Sequence, residues 1–358
     1  VIPAAFYAPM KPPDHPVPSG DRAMARALLT ALQMCDVKAD VASLLQTRDG
    51  TGDAQVQAEK QTAASVEIDT LIPKGRQAGW RFWITYHNYY KAPDLIGPAV
   101  ARALNIPYLL VEATRARKRL SGPWADYAQA AEAASDAATV MFYLTARDEE
   151  ALRDYAATGQ KLIHLRPFLP REDLPLVGRK ERSMLSVGMF RKGDKLASYR
   201  IIADTLAKLQ TPDWRLEIAG DGPVRAEVEA LFAPFGDKVA LLGALSAQGL
   251  QDAYARAAIL FWPGVNEAFG MTYLEAQAAG MAVVAQDRPG VRDVLAPGAD
   301  YPSPEAGSDA LAARLDMLLE MPKLTMHLGA AARAHIGTHH LLSAAKATLE
   351  TAIDEILI

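Results

Sequence analysis

Short apolar runs rich in β-branched and aromatic residues alternate with longer, Ala-rich helical patterns along nearly the whole chain, and this alternation constrains the fold more than any other feature. A parallel strand pair needs a crossover long enough to hold a helix, so strands that alternate with helices imply parallel α/β units. The first half places strands at 2–7, 40–45, 81–86, 108–112, 138–144 and 161–165. The second half places them at 184–189, 214–219, 239–242, 258–262 and 282–285, so the pattern restarts near residue 184. Beyond 285 the chain reads as helical, over 308–321 and again over 341–358. Residues 168–182 hold Pro170, Pro175, Gly178 and many charges, which suits an exposed connection. The expected division is therefore a first α/β domain over 1–172, a linker over 173–182, a second α/β domain over 183–338 and a last helix over 339–358.

Composition narrows the function. With 358 residues, 50% of them hydrophobic, two cores are easier to bury than one. A formal net charge of -4 offers no chain-wide positive field, so nucleic acid is not an expected partner. The single cysteine, Cys35, excludes an intramolecular disulfide and a cysteine-clustered metal site, and it fits a reducing cytoplasm. No run reaches the roughly 18 apolar residues of a bilayer span. The start, from Val1 to Tyr7, lacks the basic flank of a signal peptide and reads as a strand. The absent initiator Met points to a chain trimmed by processing or design. No Gly-x-Gly-x-x-Gly follows the first strand, which counts against a dinucleotide oxidoreductase.

The segment from Trp262 to Val284 carries the most chemistry: strand, Pro/Gly loop, helix, Gly280 stop and next strand. Glu267 falls in the loop and Glu275 about two turns inside the helix, so at about 1.5 Å rise per residue the carboxylates stand roughly 10 Å apart. That separation suits an elongated ligand with hydroxyl groups at both ends. Between them the N–H groups near Phe269, Gly270 and Met271 open a helix whose dipole favours an anion such as a diphosphate, and Gly270 lets the backbone approach closely. Each piece also has a plain structural reading: Glu267 as a helix cap, Glu275 as a solvated helix residue, Gly280 as a C-cap.

Taken whole, the segment resembles the Glu-x7-Glu motif of retaining GT-B glycosyltransferases, particularly glycosyltransferase family 4, the glycosyl transferases group 1. Glu267-Ala268-Phe269-Gly270 and Glu275-Ala276 match, with Ala268 in place of Gly and Ala282 in place of Pro. Ser186-Val187-Gly188 followed by Lys192-Gly193 is similar to the family's Val-Gly-Arg and Lys-Gly pair, whose cations grip the donor diphosphate. Gly220-Asp221-Gly222-Pro223 and the strand and turn from Val239 to Gly243 follow in the family's order. Met189 stands where the family has its Arg. The resemblance therefore assigns that role to Arg191 and the Lys role to Lys192, with Lys195 in reserve; the same cations also read as a solvated loop.

The first half is less similar. The loop from Pro18 through Gly20 to Arg22 sits where the family places a Gly-rich loop facing the donor phosphate, and it reads equally as a turn and N-cap. His87 lies at a strand end, where ligand crevices of open α/β sheets form, although a satisfied buried imidazole is the other reading. Glu112 occupies a place where relatives carry His, and reads as an acceptor-side carboxylate or as a simple acceptor of backbone hydrogen bonds. Arg115, Arg117, Lys118 and Arg119 form a basic run suited to an anionic acceptor, a phospholipid surface or a polyprenyl phosphate, or to a solvated loop.

The resemblance implies a GT-B fold: two Rossmann-like domains whose parallel sheets face across a cleft, with the C-terminal helix crossing back to the N-terminal, acceptor-side domain. It implies a hexosyltransferase-type enzyme that moves a sugar from a nucleoside diphosphate sugar to an unidentified glycan, lipid-linked or small-molecule acceptor, with retention. No cofactor and no metal are expected. Glu267, Lys192 and Arg191 are the catalytic candidates, and Gly20, Gly188, Lys192, Phe269, Gly270, Met271 and Glu275 the donor-binding ones. His87, Glu112 and Arg115 are the acceptor-side candidates. A cytoplasmic location is expected from the single cysteine, and peripheral contact at the inner membrane face from the basic run. Alternatives are a GT-B nucleotide-sugar epimerase or phosphorylase, and a non-catalytic relative, which Met189 and Glu112 would favour.

Overall fold

The computed structural model describes residues 1–17 and 19–357. Pro18, in the loop expected to face a phosphate, and Ile358, the expected end of the last helix, lie outside the described residues. The chain divides into two compact units: Val1–Pro170 together with the described residues from Leu342 onward, and Arg171–Leu341. The stretch expected as a linker thus groups with the second unit.

The first unit runs β1 (Ile2–Tyr7), α1 (Gly20–Met34), β2 (Val37–Val41), α2 (Ala54–Ala78), β3 (Trp83–Asn88), α3 (Gly97–Leu104), β4 (Tyr108–Ala113), α4 (Ala125–Ala137), β5 (Val140–Tyr143), α5 (Ala146–Asp154) and β6 (Lys161–His164). Its six strands lie in the order β2-β1-β3-β4-β5-β6, all parallel. Consecutive residues such as Leu109, Leu110 and Val111 are fully buried, as expected of a parallel sheet covered on both faces. The second strand lies earlier than the expected 40–45. Val37 pairs with Ile2 directly after the turn at Asp36 (φ 56°), and by Val41 the partner is already Phe6, near the end of β1. Residues 42–45 therefore have little strand left to pair with, and Leu45 accepts the Tyr7 hydroxyl instead, at 2.7 Å.

The second unit runs β7 (Glu181–Val187), α6 (Asp194–Leu206), β8 (Leu216–Ala219), α7 (Arg225–Phe232), β9 (Val239–Gly243), α8 (Ala247–Arg256), β10 (Ala257–Phe261), α9 (Met271–Ala278), β11 (Ala282–Val284), α10 (Gly307–Glu320) and α11 (Pro322–His339). The strand order is β11-β10-β7-β8-β9, again all parallel. Helix α11 has no counterpart among the expected elements. Pro322 opens it at a first-turn position, where the missing N–H costs nothing. The last helix, α12 (Leu342–Leu357), belongs to the first unit and packs on α1. There the Cys35 thiol donates to the Lys346 carbonyl at 3.6 Å, and burial pushes its pKa up to about 11.

In both units the chain reverses its direction of sheet growth between two neighbouring strands, β1 and β3 in the first, β7 and β10 in the second. Ligand crevices of doubly wound sheets lie at the carboxyl ends of such strands. Two buried carboxylates order the first unit near its switch point. Asp94 accepts from Thr85 (2.6 Å), Tyr108 (2.8 Å) and the Ile96 and Gly97 N–H groups (2.9 and 2.7 Å), which fastens α3 to β3 and β4. Burial still raises its pKa against those four bonds. Asp49 accepts from Gln57, the Thr51 hydroxyl and N–H, and the Asp53 N–H. Burial raises its pKa, but those donors outweigh burial and bring it to about 2.

A depressed carboxyl pKa contributes stability above the unfolded value, near 4, that is lost as the pH falls through the folded one. Asp49→Asn should therefore lower the unfolding free energy by about 1 to 3 kcal/mol at pH 7. The difference from the unsubstituted protein should shrink between about pH 4 and pH 2. Urea unfolding across that range checks both parts.

Candidate functional site

At the switch point of the second unit, β7 gives way to the turn Gly188–Phe190 and β10 to the loop 262–270. The Ser186 hydroxyl donates across to the Phe261 carbonyl at 2.6 Å, and the Tyr199 hydroxyl of α6 to the Gly188 carbonyl at 2.7 Å. A Cβ on Gly188 would come within 2.7 Å of the Trp262 ring, so glycine there admits the indole. The exposed Met189 follows directly. Gly193 (φ 76°, ψ -131°) then turns the chain into α6 with no side-chain cap. The first turn of α6 is stitched to the 262–270 loop: Val265 N–H donates to the Ser198 hydroxyl at 3.1 Å and the Asn266 amide to Asp194 at 3.0 Å.

That stitching brings Lys195 to Glu267. The Lys195 ammonium bonds Glu267 Oε1 and lies 5.2 Å from the Trp262 ring centroid, and the indole N–H donates to the same oxygen at 2.9 Å. The cation beside the carboxylate is thus the one expected in reserve. Lys192 and Arg191 are exposed and form no ion pair among the described residues. The reason is local: they precede the Gly193 turn, whereas Lys195 lies on the first turn of the helix that the loop packs against.

After Glu267 the chain enters α9 through Gly270 (φ 82°, ψ 93°), again without a side-chain cap. The Tyr273 N–H donates to the Gly270 carbonyl at 3.0 Å, which leaves the N–H groups of Met271 and Thr272 at the head of α9 for an anion, with the buried Phe269 beside them and Met271 partly buried. Glu275, on the same helix, accepts from the Tyr254 hydroxyl of α8 at 2.7 Å through Oε2. Burial raises the Glu275 pKa, and the Tyr254 bond opposes that. Neither Trp262 nor Tyr254 was among the expected site residues. Trp262 adjoins the motif in sequence, but the direction of its indole is set by packing against Tyr199 and Gly188. Tyr254 comes from another element and carried no signal.

In the first unit Gly20 opens α1, whose N-cap Ser19 accepts from the Arg22 N–H, and Asp21 sits in its first turn. His87 and Glu112 end neighbouring strands in left-handed backbone, φ 71° and 57°. Non-glycine residues held there mark stored strain. His87 Nδ1 stands 3.7 Å from Asp21 Oδ1 and 3.8 Å from Glu112 Oε2, too far for a hydrogen bond. Both Nδ1 and Oε2 are buried without a hydrogen-bond partner among the described residues. Burial raises the Glu112 pKa, while His87 and the Tyr86 hydroxyl oppose it.

Arg115 does not join them. Its side chain is 2% exposed and neutralised by Glu132 at 2.8 Å and Asp136 at 2.7 Å, with a further bond to the Tyr155 carbonyl at 2.9 Å. Carboxylates of α4 thus claim the cation that the sequence offered to an acceptor. Arg117 stacks on Tyr155 and Arg119 on Tyr90 and Trp124, so two more of the basic run lie on aromatic rings. Among the described residues no group of three or more His, Cys, Asp or Glu is placed to hold a metal ion, and no helix is long and apolar enough to cross a membrane.

Comparison with known proteins bears on the same segment. An alpha-D-kanosaminyltransferase of Streptomyces kanamyceticus is 24% identical over 277 residues, 73% of this chain and 71% of that protein. The sulfoquinovosyl transferase of Arabidopsis thaliana is 32% identical over 98 residues, 27% of this chain. The chain spans only 18% of that relative's length. Anabaena HepE, solved with UDP and glucose, superposes with a TM-score of 0.68 at 14% identity, covering 99% of this chain and 100% of HepE. The fold is therefore that of the GT-B glycosyltransferases. Residues 178–335, which hold Gly188, Lys195, Glu267 and Glu275, match the family described as Glycosyl transferases group 1.

Proposed function

We propose that this chain is a hexosyltransferase that takes a sugar from a nucleoside diphosphate sugar and passes it, with retention and without a metal, to an acceptor hydroxyl. The observation that carries this reading is the pairing of Lys195 with Glu267 at the switch point, beside two uncapped helix N-termini and within the matched segment. Relatives that are named for GDP-mannose, and HepE solved with UDP and glucose, support a nucleotide-linked donor.

A departing diphosphate needs its developing charge offset. The leading N–H groups of α6 and α9 and the Lys195 ammonium supply positive potential in one place, while the exposed Lys192 and Arg191 add to it from the adjoining turn. Lys195 has three N–H donors, so it can keep Glu267 while it bonds a phosphate oxygen. Glu267 keeps Oε2 for a sugar hydroxyl and Glu275 keeps Oε1 for the ribose. The unpartnered His87 Nδ1 and Glu112 Oε2 serve the acceptor side of the first unit.

Nucleoside diphosphate release that depends on an acceptor tests the reaction; bound nucleotide with no turnover would show a binding module instead. Excess EDTA should leave the rate unchanged, and loss restored by magnesium or manganese would overturn the metal-free proposal. Lys195→Ala should slow turnover more than Lys192→Ala, because Lys195 alone contacts both Glu267 and the ring beneath it. A loss of about 1.5 to 3 kcal/mol in kcat/KM is expected for Lys195→Ala.

The two glutamates should fail differently. Glu275→Ala should weaken free nucleoside diphosphate by about tenfold, whereas Glu267→Ala should spare that affinity and lower turnover. Calorimetry and steady-state rates separate these outcomes, and equal small effects would reduce both glutamates to structural residues.

A further inference from the structure

The Glu-x7-Glu pattern leaves open what aims each carboxylate, and two aromatic side chains outside it share one arrangement. Trp262 is 1% exposed. Its ring packs edge-on against Tyr199, with centroids 5.2 Å apart, and over Gly188, and its indole N–H donates to Glu267 Oε1 at 2.9 Å. The Trp262 backbone is tied on both sides: its N–H donates to the Val284 carbonyl at 3.0 Å and its carbonyl accepts from the Tyr273 hydroxyl at 2.9 Å. The indole is therefore set by packing and backbone before any ligand arrives. Tyr254 is 4% exposed on α8, and its hydroxyl holds Oε2 of Glu275.

We infer that Trp262 and Tyr254 are positioning residues: each anchors one oxygen of one glutamate, so that Glu267 presents Oε2 and Glu275 presents Oε1 to the donor. The inference rests on the donor reading above and extends it to two residues and four oxygens. Its physical content is pre-organisation. A carboxylate with one oxygen anchored cannot rotate freely, so its remaining lone pairs point in a set direction at no further entropic cost on binding. Lys195 shares Oε1 of Glu267 but sits on a flexible stem, whereas the indole N–H is rigid. The consequence is a division of labour, since Trp262 acts through the group assigned to the sugar and Tyr254 through the group assigned to the ribose.

The test uses Trp262→Phe and Tyr254→Phe, which each keep an aromatic ring and remove one donor. Calorimetry on the full chain with UDP and UDP-glucose, and in parallel with GDP and GDP-mannose, reads the free diphosphate and the intact donor separately. Trp262→Phe should weaken the intact donor by about fivefold and leave the free diphosphate within about twofold. Tyr254→Phe should weaken both by about fivefold. Thermal unfolding of each variant shows whether it is folded, and the split between the two ligands is a readout that a merely structural role would not produce. Parallel weakening of both ligands by both variants, or no change in either, overturns the assignment. If the unsubstituted protein binds neither pair, uridine and guanosine diphosphate donors are excluded, and the donor reading fails for both of them with this inference.

Discussion

At the carboxyl edge of the second sheet the chain passes backbone over backbone, and the geometry of the site depends on that approach. A Cβ on Gly220 would overlap the Gly188 carbonyl oxygen, and one on Gly290 would overlap the Ala268 carbonyl oxygen. The first contact sets the turn after β7 against the turn after β8. The second sets the segment after β11 against the loop that carries Glu267. Two loops that would otherwise wander are thereby held at van der Waals distance, and Lys195, Trp262 and Glu267 meet between elements far apart in sequence.

Within the first unit desolvated charge is treated in two opposite ways. Asp94 is buried and every one of its bonds is made, so its carboxylate works as a fastener. His87 and Glu112 are also largely buried, yet each keeps a buried polar atom without a hydrogen-bond partner among the described residues, on backbone that non-glycine residues rarely adopt. A buried unpaired polar atom costs about 1 to 3 kcal/mol, which natural interiors rarely tolerate without a ligand or water to answer it. Asn88 shows how the strain is held in place: it bonds the Ala131 carbonyl, the Ser135 hydroxyl and the Asp94 N–H immediately after His87. In the second unit the carboxylates Glu267 and Glu275 are each half satisfied, with one oxygen anchored.

The alternation of strands and helices was legible because the period of apolar residues is a local property. All eleven expected strands correspond to β1–β11, shifted by a few residues where pairing partners ran out, as at β2. Helix α11 was not legible, since Pro322 carries the same local sign whether it ends a helix or opens one. The segment holding Glu267 and Glu275 was delimited for the same local reason, since Pro263, Gly264, Gly270 and Gly280 punctuate strand, loop and helix, but its functional reading came from the resemblance of its Glu-x7-Glu spacing to a known family.

Charge partners belong to a different class of information. The sequence offered Arg191, Lys192 and Lys195 within five positions and could not rank them by distance to Glu267, because that ranking depends on how α6 leaves the Gly193 turn. Arg115 looked available beside Arg117, Lys118 and Arg119, and only the packing of α4 shows Glu132 and Asp136 closing on it. Tyr254 reaches Glu275 from a separate helix. The sequence by itself determined the doubly repeated parallel architecture, the loops at the strand ends and the placing of Glu267 in a loop and Glu275 on the following helix, because backbone propensity and apolar period act over a few residues. The tertiary structure alone decided which cation meets Glu267, which oxygen of each glutamate is anchored and which arginine is spent, because Coulomb attraction and hydrogen bonding act on distances that the fold creates.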